Sequence, residues 1–284
     1  IKNAIFFTSL RTFMNKSQLI KGLRDIYTSY DTFFIDLWGV VHNGIKLNPS
    51  SVEVLNQLEI KKKKIILMTN APRPGKSVAN FLLTMGLNKK YFKYIFTSGD
   101  AALKALKLEK YGKFFFHIGA SRDEDLIKEF KDNKRPIDNC DFILCTGLFD
   151  NYDESLNYYK SLLVNKKNLI MVCTNPDLIV HRGNKKEYCA GSIAKIFENL
   201  GGKVVYFGKP YPEIYQYCKK KNDKVLVIGD NLRTDIKGAN NMMLDSLFIT
   251  SGVHREEILE LNNLDKVLQK YSVKTNFFQN NLKW

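Results

Sequence analysis

The 284-residue chain predicts an α/β protein built on a parallel sheet, and two patterns carry that expectation. Apolar, β-branched or aromatic runs of strand length alternate with amphipathic, helix-like stretches along the whole chain. The runs are continuously apolar rather than alternating, which is how a strand reads when helices cover both faces of its sheet. Hydrophobic residues at 44% and charged residues at 26% suit an ordinary globular chain of this kind.

In order, the predicted strands are FFID (33–36), KIILMT (64–69), YIFTS (94–98), FFFHIG (114–119), FILCTG (142–147), LIMVCT (169–174), KVVYFG (203–208), KVLVIGD (224–230) and SLFIT (246–250). Helices are predicted between them, among them PSSVEVLNQLEI (49–60), DAALKALKLEKYG (100–112) and GSIAKIFENLGG (191–202). About a hundred residues separate Ser98 from Lys209, more than a single crossover between parallel strands requires.

Composition narrows the function classes. The formal charge of +15 invites a nucleic-acid reading. However, the excess is mostly lysine spread along the chain, and Lys61–Lys64 and Lys219–Lys221 each precede an apolar run as strand-flanking, solvated lysines do. No nucleic-acid partner is expected, whereas an anionic small substrate suits the charge. No apolar run approaches the roughly 20 residues that span a bilayer, so no membrane partner is expected either. The cysteines, at 140, 145, 173, 189 and 218, form no CxxC pair and read as reduced thiols of a cytoplasmic protein. Residues 1–24 carry five basic side chains and no acid, loosely like a targeting segment, but Met14 also reads as a start and the cytoplasmic expectation stands.

Parallel sheets bind ligands where their strands end. Four predicted strands end on polar groups: Asp36, Thr69-Asn70, Lys209 and Asp230. Asp36, Asp230 and Asp235 together would repel one another, and a hard dication such as Mg2+ removes that repulsion. Lys209 and the Thr69 hydroxyl can then hold an anionic group such as phosphate beside the metal. Asp36 is placed to attack its phosphorus, giving an aspartyl-phosphate that water hydrolyses.

The segments FIDLWGVV, MTNAPR, FGKPYPEIY and IGDNLRTDIKGA resemble, in order, the four motifs of the haloacid-dehalogenase-like hydrolases, and more narrowly those of subfamily IIA, the NagD-like sugar and nitrophenyl phosphatases. The resemblance covers roughly residues 30–255. It implies a Rossmann-like core, over 1–111 and 181–284, with a smaller α/β cap domain inserted over 112–180. It further implies that Asp36 is the nucleophile and a metal ligand, that Trp38 gives the metal its backbone carbonyl, and that Asp230 and Asp235 complete the metal shell. By the same resemblance Thr69, Asn70 and Lys209 bind the phosphoryl group, and Lys209 also steadies the nucleophile. Asn175 and Asp177, in CTNPD, and Arg182 become candidate contacts to a small phosphorylated metabolite. Cap-mediated homodimers occur in the resembled subfamily, so a homodimer is compatible with it.

One position departs from the family pattern. Two residues after the nucleophile these phosphatases usually carry a second Asp, which protonates the leaving group and later activates water; here it is Trp38. General acid–base help is worth roughly 10²–10⁴-fold, so a slow or selective phosphatase is expected. His42 is the nearest substitute acid, although a solvent-facing loop histidine is the expectation for it. The alternatives are a catalytically weakened domain that binds a phosphorylated ligand and, more distantly, a metal-independent dehalogenase.

Overall fold

The computed structural model describes residues 17–152, 155–216 and 223–284. Most of the basic N-terminal segment, Met14, Cys218 and Lys219–Lys221 fall outside the described residues.

Strand Thr32–Ile35 lies inside a seven-stranded sheet, between Val225–Gly229 and Lys64–Thr69. Ile95–Thr97 forms one edge, and Asp245–Ile249, Phe277–Gln279 and Gln18–Leu19 extend the other side. Each neighbouring pair is parallel. The continuous apolar runs have the physical cause expected of them. Phe33 and Ile35 pack with Ile65, Leu67, Leu226 and Ile228 against helix Pro49–Ile60, while Phe34 packs with Ile66, Met68 and Val227 against Tyr215 on the other face. Both faces are covered, so successive side chains are all buried.

A second sheet carries Lys203–Tyr206, Ile170–Cys173, Phe142–Cys145 and Phe115–Ile118 in that order, again all parallel. Helices Leu156–Leu163 and Ala190–Asn199 cover one face through Tyr159, Leu163, Ile193 and Phe197. Helix Ser98–Lys107 and the 3-10 run Ser121–Asn133 cover the other through Leu106, Leu126 and Ile127. The second layered unit therefore runs from about 98 to 206. The sequence-based bounds of 112–180 are too narrow at both ends, because two flanking helices and the edge strand Lys203–Tyr206 bury their apolar faces here rather than on the larger sheet.

A two-stranded antiparallel hairpin, Ile179–Arg182 with Lys185–Tyr188, was not predicted. Its second strand, KKEY, has no apolar pattern to reveal it. Its turn places Gly183 at φ +61, and Gly183 donates its N–H to the Asn43 carbonyl at 2.9 Å, tying the hairpin to the loop that follows Asp36. Among the described residues no helix is long and apolar enough to cross a membrane.

Candidate active site

Three acids reach one place by the ends of adjacent strands. Asp36 immediately follows Thr32–Ile35 and donates its N–H to the Ile228 carbonyl at 2.9 Å, extending the strand pairing by one residue. Asp230 immediately follows Val225–Gly229 on the neighbouring strand. Asp235 lies in a π-helical turn, Leu232–Ile236, and accepts from the Asn231 N–H at 3.1 Å, which turns its carboxylate back toward the strand ends. Thr69 ends the strand on the other side of Asp36.

Lys209 arrives by another route than the sequence suggested. The strand before it belongs to the second sheet, and the chain crosses back through Phe207 and Gly208. Asn70 fixes that crossing. Its side-chain oxygen accepts from the Lys209 N–H at 2.8 Å, and its amide donates to the Lys209 carbonyl at 3.1 Å. A Cβ on Gly208, at φ +109, would stand 2.5 Å from that Asn70 oxygen, so the approach requires glycine. Asn70, expected to bind phosphate, lines the cavity, and its side-chain amide orients the lysine.

The Lys209 ammonium bonds Asp36 Oδ1 at 2.5 Å and Asp235 Oδ1 at 2.7 Å, and all three residues are buried. Burial works to lower the Lys209 pKa, but Asp235, Asp36 and Asp177 outweigh it and hold it well above its ordinary value. Asp36 is pushed well up by burial, opposed by Lys209 and reinforced by Asp235 and Asp230. Asp230, with no hydrogen bond from a lysine among the described residues, is pushed up to about 8 by burial and by Asp235, against the pull of the Val253 N–H and of Lys209. One ammonium thus leaves the cluster short of positive charge. Oxygens of Asp36, Asp230 and Asp235 lie within 4.8 Å of one another, a hard, all-oxygen donor set that fits a divalent cation. Gly39, at φ +86, allows the loop to close on this set; a Cβ there would stand 2.1 Å from Asp230 Oδ2.

Trp38 does not face the cluster as an acid would. Its indole N–H donates to the His181 carbonyl at 2.9 Å, and the Arg182 guanidinium lies over its ring at 4.9 Å. Arg182 is further tied to Glu187 at 2.9 Å and to the Gly44 carbonyl at 3.2 Å. The tryptophan therefore docks the hairpin onto the nucleophile loop. Contrary to expectation, His42 is no solvent-facing residue: it is 2% exposed, packs against Trp38 and Phe81, and accepts from the Gly44 N–H through Nδ1 at 3.0 Å. Burial, with Arg182 and Arg73 nearby, pushes it down to about 4, so at neutral pH it is a neutral imidazole and not a general acid.

Asp177 reaches across to the acid-bearing loop, accepting from Asn231 Nδ2 and Thr234 Oγ1, each at 3.0 Å. Burial raises it to about 6, opposed by Lys209. Asn175 accepts from the Asp177 N–H at 3.1 Å, shaping the loop that carries it. All the candidate residues, together with Asn231 and Thr234, line one cavity of about 630 Å³. Sequence reasoning passed over Asn231, Thr234 and Arg73, although each stands inside a motif segment, NLRT or NAPR, one to four residues from a selected position. Arg122 and Asp123, in the first turn of the 3-10 run Ser121–Asn133, also line the cavity and left no sequence signal.

A sheet of this order, with acids at adjacent strand ends and a lysine delivered from an inserted unit, defines a hydrolase of the haloacid-dehalogenase fold. Comparison with known proteins agrees. The haloacid dehalogenase-like hydrolase family model matches residues 33–131, and a second HAD-hydrolase-like model matches residues 206–272. A solved haloacid dehalogenase-like hydrolase from Brucella suis 1330 is 30% identical, with a TM-score of 0.82 over 93% of this chain and 100% of that one. The ribonucleotide monophosphatase NagD of Escherichia coli (strain K12) is 28% identical over 225 residues, 77% of this chain and 86% of NagD. The chloroplastic phosphoglycolate phosphatase 1A of Arabidopsis thaliana is 26% identical over 276 residues, 86% of this chain and 75% of that protein. The chain belongs to the haloacid dehalogenase-like hydrolase family, and its relatives place it with the NagD-like subfamily IIA.

Proposed function

We propose that the protein is a Mg2+-dependent phosphatase that hydrolyses a small phosphorylated metabolite through an aspartyl-phosphate on Asp36. The observation that carries this is Lys209 bonded at once to Asp36 and Asp235, beside Asp230, at the ends of adjacent strands. Two relatives carry names that denote phosphatases of small phosphorylated compounds, which supports the substrate class.

In this reading Lys209 holds the Asp36 carboxylate in one orientation and, with the Thr69 hydroxyl, holds the phosphoryl oxygens. Asp36 attacks phosphorus in line with the leaving oxygen; the P–O bond to the substrate breaks and an acyl phosphate forms. Water then attacks that phosphorus and frees Asp36. Asp36, Asp230, Asp235 and the Trp38 carbonyl would hold Mg2+, which would supply the positive charge that lets a carboxylate approach an anionic phosphoryl group. The unit spanning about 98–206, with its hairpin, acts as the cap that excludes water during the first step. Trp38 offers the leaving oxygen no proton, so substrates whose leaving groups need little protonation turn over fastest. Cys140, Cys145, Cys173 and Cys189 are free thiols, in keeping with a cytoplasmic location.

The test is phosphate release from 4-nitrophenyl phosphate with Mg2+ and with EDTA. Slow release that EDTA stops, and that Asp36→Asn lowers by at least about a thousandfold, is expected. Release indifferent to both would overturn the proposal. The absence of the second acid favours one other outcome, phosphate binding without release, which would make the protein a binding domain. Halide release insensitive to EDTA would make it a dehalogenase.

A further inference from the structure

The cavity also carries charged groups that the phosphoryl chemistry does not use. Besides the acid cluster, its wall includes Arg73, Arg122, Arg182 and Arg255 together with Asp123, Asp150 and Glu187. These arginines are not equally committed. Arg182 lines the cavity but is already held by Trp38, Glu187 and the Gly44 carbonyl. Arg73 is mostly buried, yet its Nε has no hydrogen-bond partner among the described residues; the nearest acid, Asp123 Oδ1, stands at 3.8 Å, beyond hydrogen-bond reach. Burial lowers the Arg73 pKa, and Arg122 and Arg182 lower it further against the opposing pull of Asp123 and Asp125. Burying a guanidinium with an unused donor is costly unless an anion meets it.

We propose that Arg73 and Arg122 form an anion subsite, and that the substrate is a metabolite bearing, besides its phosphoryl group, a second acidic group that this pair holds. The proposal rests on the phosphatase reading for the phosphoryl end only. Arg73 is four residues from Thr69 on one loop, so their Cα atoms are at most about 14 Å apart, which suits a compact metabolite. The planar guanidinium fork matches a carboxylate or a second phosphate, either of which can accept two N–H groups side by side. Asp123 then serves as the stand-in counter-charge when the subsite holds no ligand, and Arg73, from the loop after Lys64–Thr69, and Arg122, from the 3-10 run of the second unit, line the same cavity close enough for one charge to act on the other.

Binding of non-hydrolysable phosphonates, measured by calorimetry in the presence of Mg2+, tests this without turnover. The probes are 3-phosphonopropionate, propane-1,3-bisphosphonate and propylphosphonate, of similar length but with a carboxylate, a second phosphonate or no second acid. Wild-type protein is expected to bind one of the doubly acidic probes at least tenfold more tightly than propylphosphonate, and the tighter of the two identifies the second group. Arg73→Gln is expected to reduce that preference to threefold or less. Arg122→Gln, at an exposed position where folding is not at stake, is expected to reduce it in the same direction. A wild-type preference below twofold, or a preference unchanged in Arg122→Gln, overturns the subsite and leaves Arg73–Asp123 a structural pair. Failure of the phosphatase reading would show separately, as no phosphate from 4-nitrophenyl phosphate, while the preference among phosphonates still decides the subsite.

Discussion

Trp38 concentrates the chemistry of a single residue. Its indole holds the hairpin through His181 and Arg182, and in the proposed mechanism it occupies the place of the acid that would protonate the leaving oxygen. Trp38→Asp is therefore expected to raise the rate on alkyl phosphates relative to 4-nitrophenyl phosphate by at least about tenfold, even if loosening the hairpin lowers both rates. Steady-state rates on the two substrates check it, and an unchanged ratio in a folded variant would show that the missing acid does not limit the enzyme. At this scale Asp36, Thr69, Lys209 and Asp230 stood out because each is a polar residue ending an apolar run, whereas Asp235, in a turn, stood out only through its motif; the structure brings the three acids and the lysine together. The bonds of Asn70 to the Lys209 backbone and the burial of His42 were not legible. Whether an amide faces a ligand or a neighbouring backbone, and whether a loop imidazole is buried, are decided by segments far away in sequence.

The strands and long helices were legible as elements, with small shifts at their ends: Pro49–Ile60 was predicted as found, and the predicted FFID ends one residue earlier in the structure, leaving Asp36 just past the strand. Which sheet an element joins was not legible, because helix Ser98–Lys107 and strand Lys203–Tyr206 have apolar faces that would suit either. The second sheet also carries a testable pH dependence. His117, on strand Phe115–Ile118, bonds Thr146 Oγ1 through Nε2 at 2.8 Å, and burial, aided by Lys134, pushes it down to about 4. The unfolded chain takes up that proton near pH 6.5 while the folded one does not until about pH 4. Stability from this group is complete above pH 6.5 and is lost as the pH falls toward 4. Between pH 7 and pH 5 it accounts for about 2 kcal/mol. Urea unfolding at the two pH values is expected to show a loss that His117→Gln diminishes by about that amount; an equal loss in the variant would contradict the assignment.

Across the whole molecule, the two sheets meet at the acid cluster. Ser98 Oγ donates to the Thr174 carbonyl at 2.5 Å and to the Ala71 carbonyl at 3.0 Å, Asp177 spans to Asn231 and Thr234, and the hairpin closes over Trp38. The cavity of about 630 Å³ and the +15 charge together favour small anionic substrates, the one by size and the other by long-range attraction. Everything proposed for the site depends on Asp36 as the group that takes the phosphoryl. The most direct measurement is peptide mass spectrometry on protein quenched in acid during turnover of 4-nitrophenyl phosphate with Mg2+. A phosphoryl group on the peptide at Asp36, lost when Asp36→Asn is used, is the expected result; turnover that persists in Asp36→Asn, or a phosphoryl group trapped on another residue, would contradict the account.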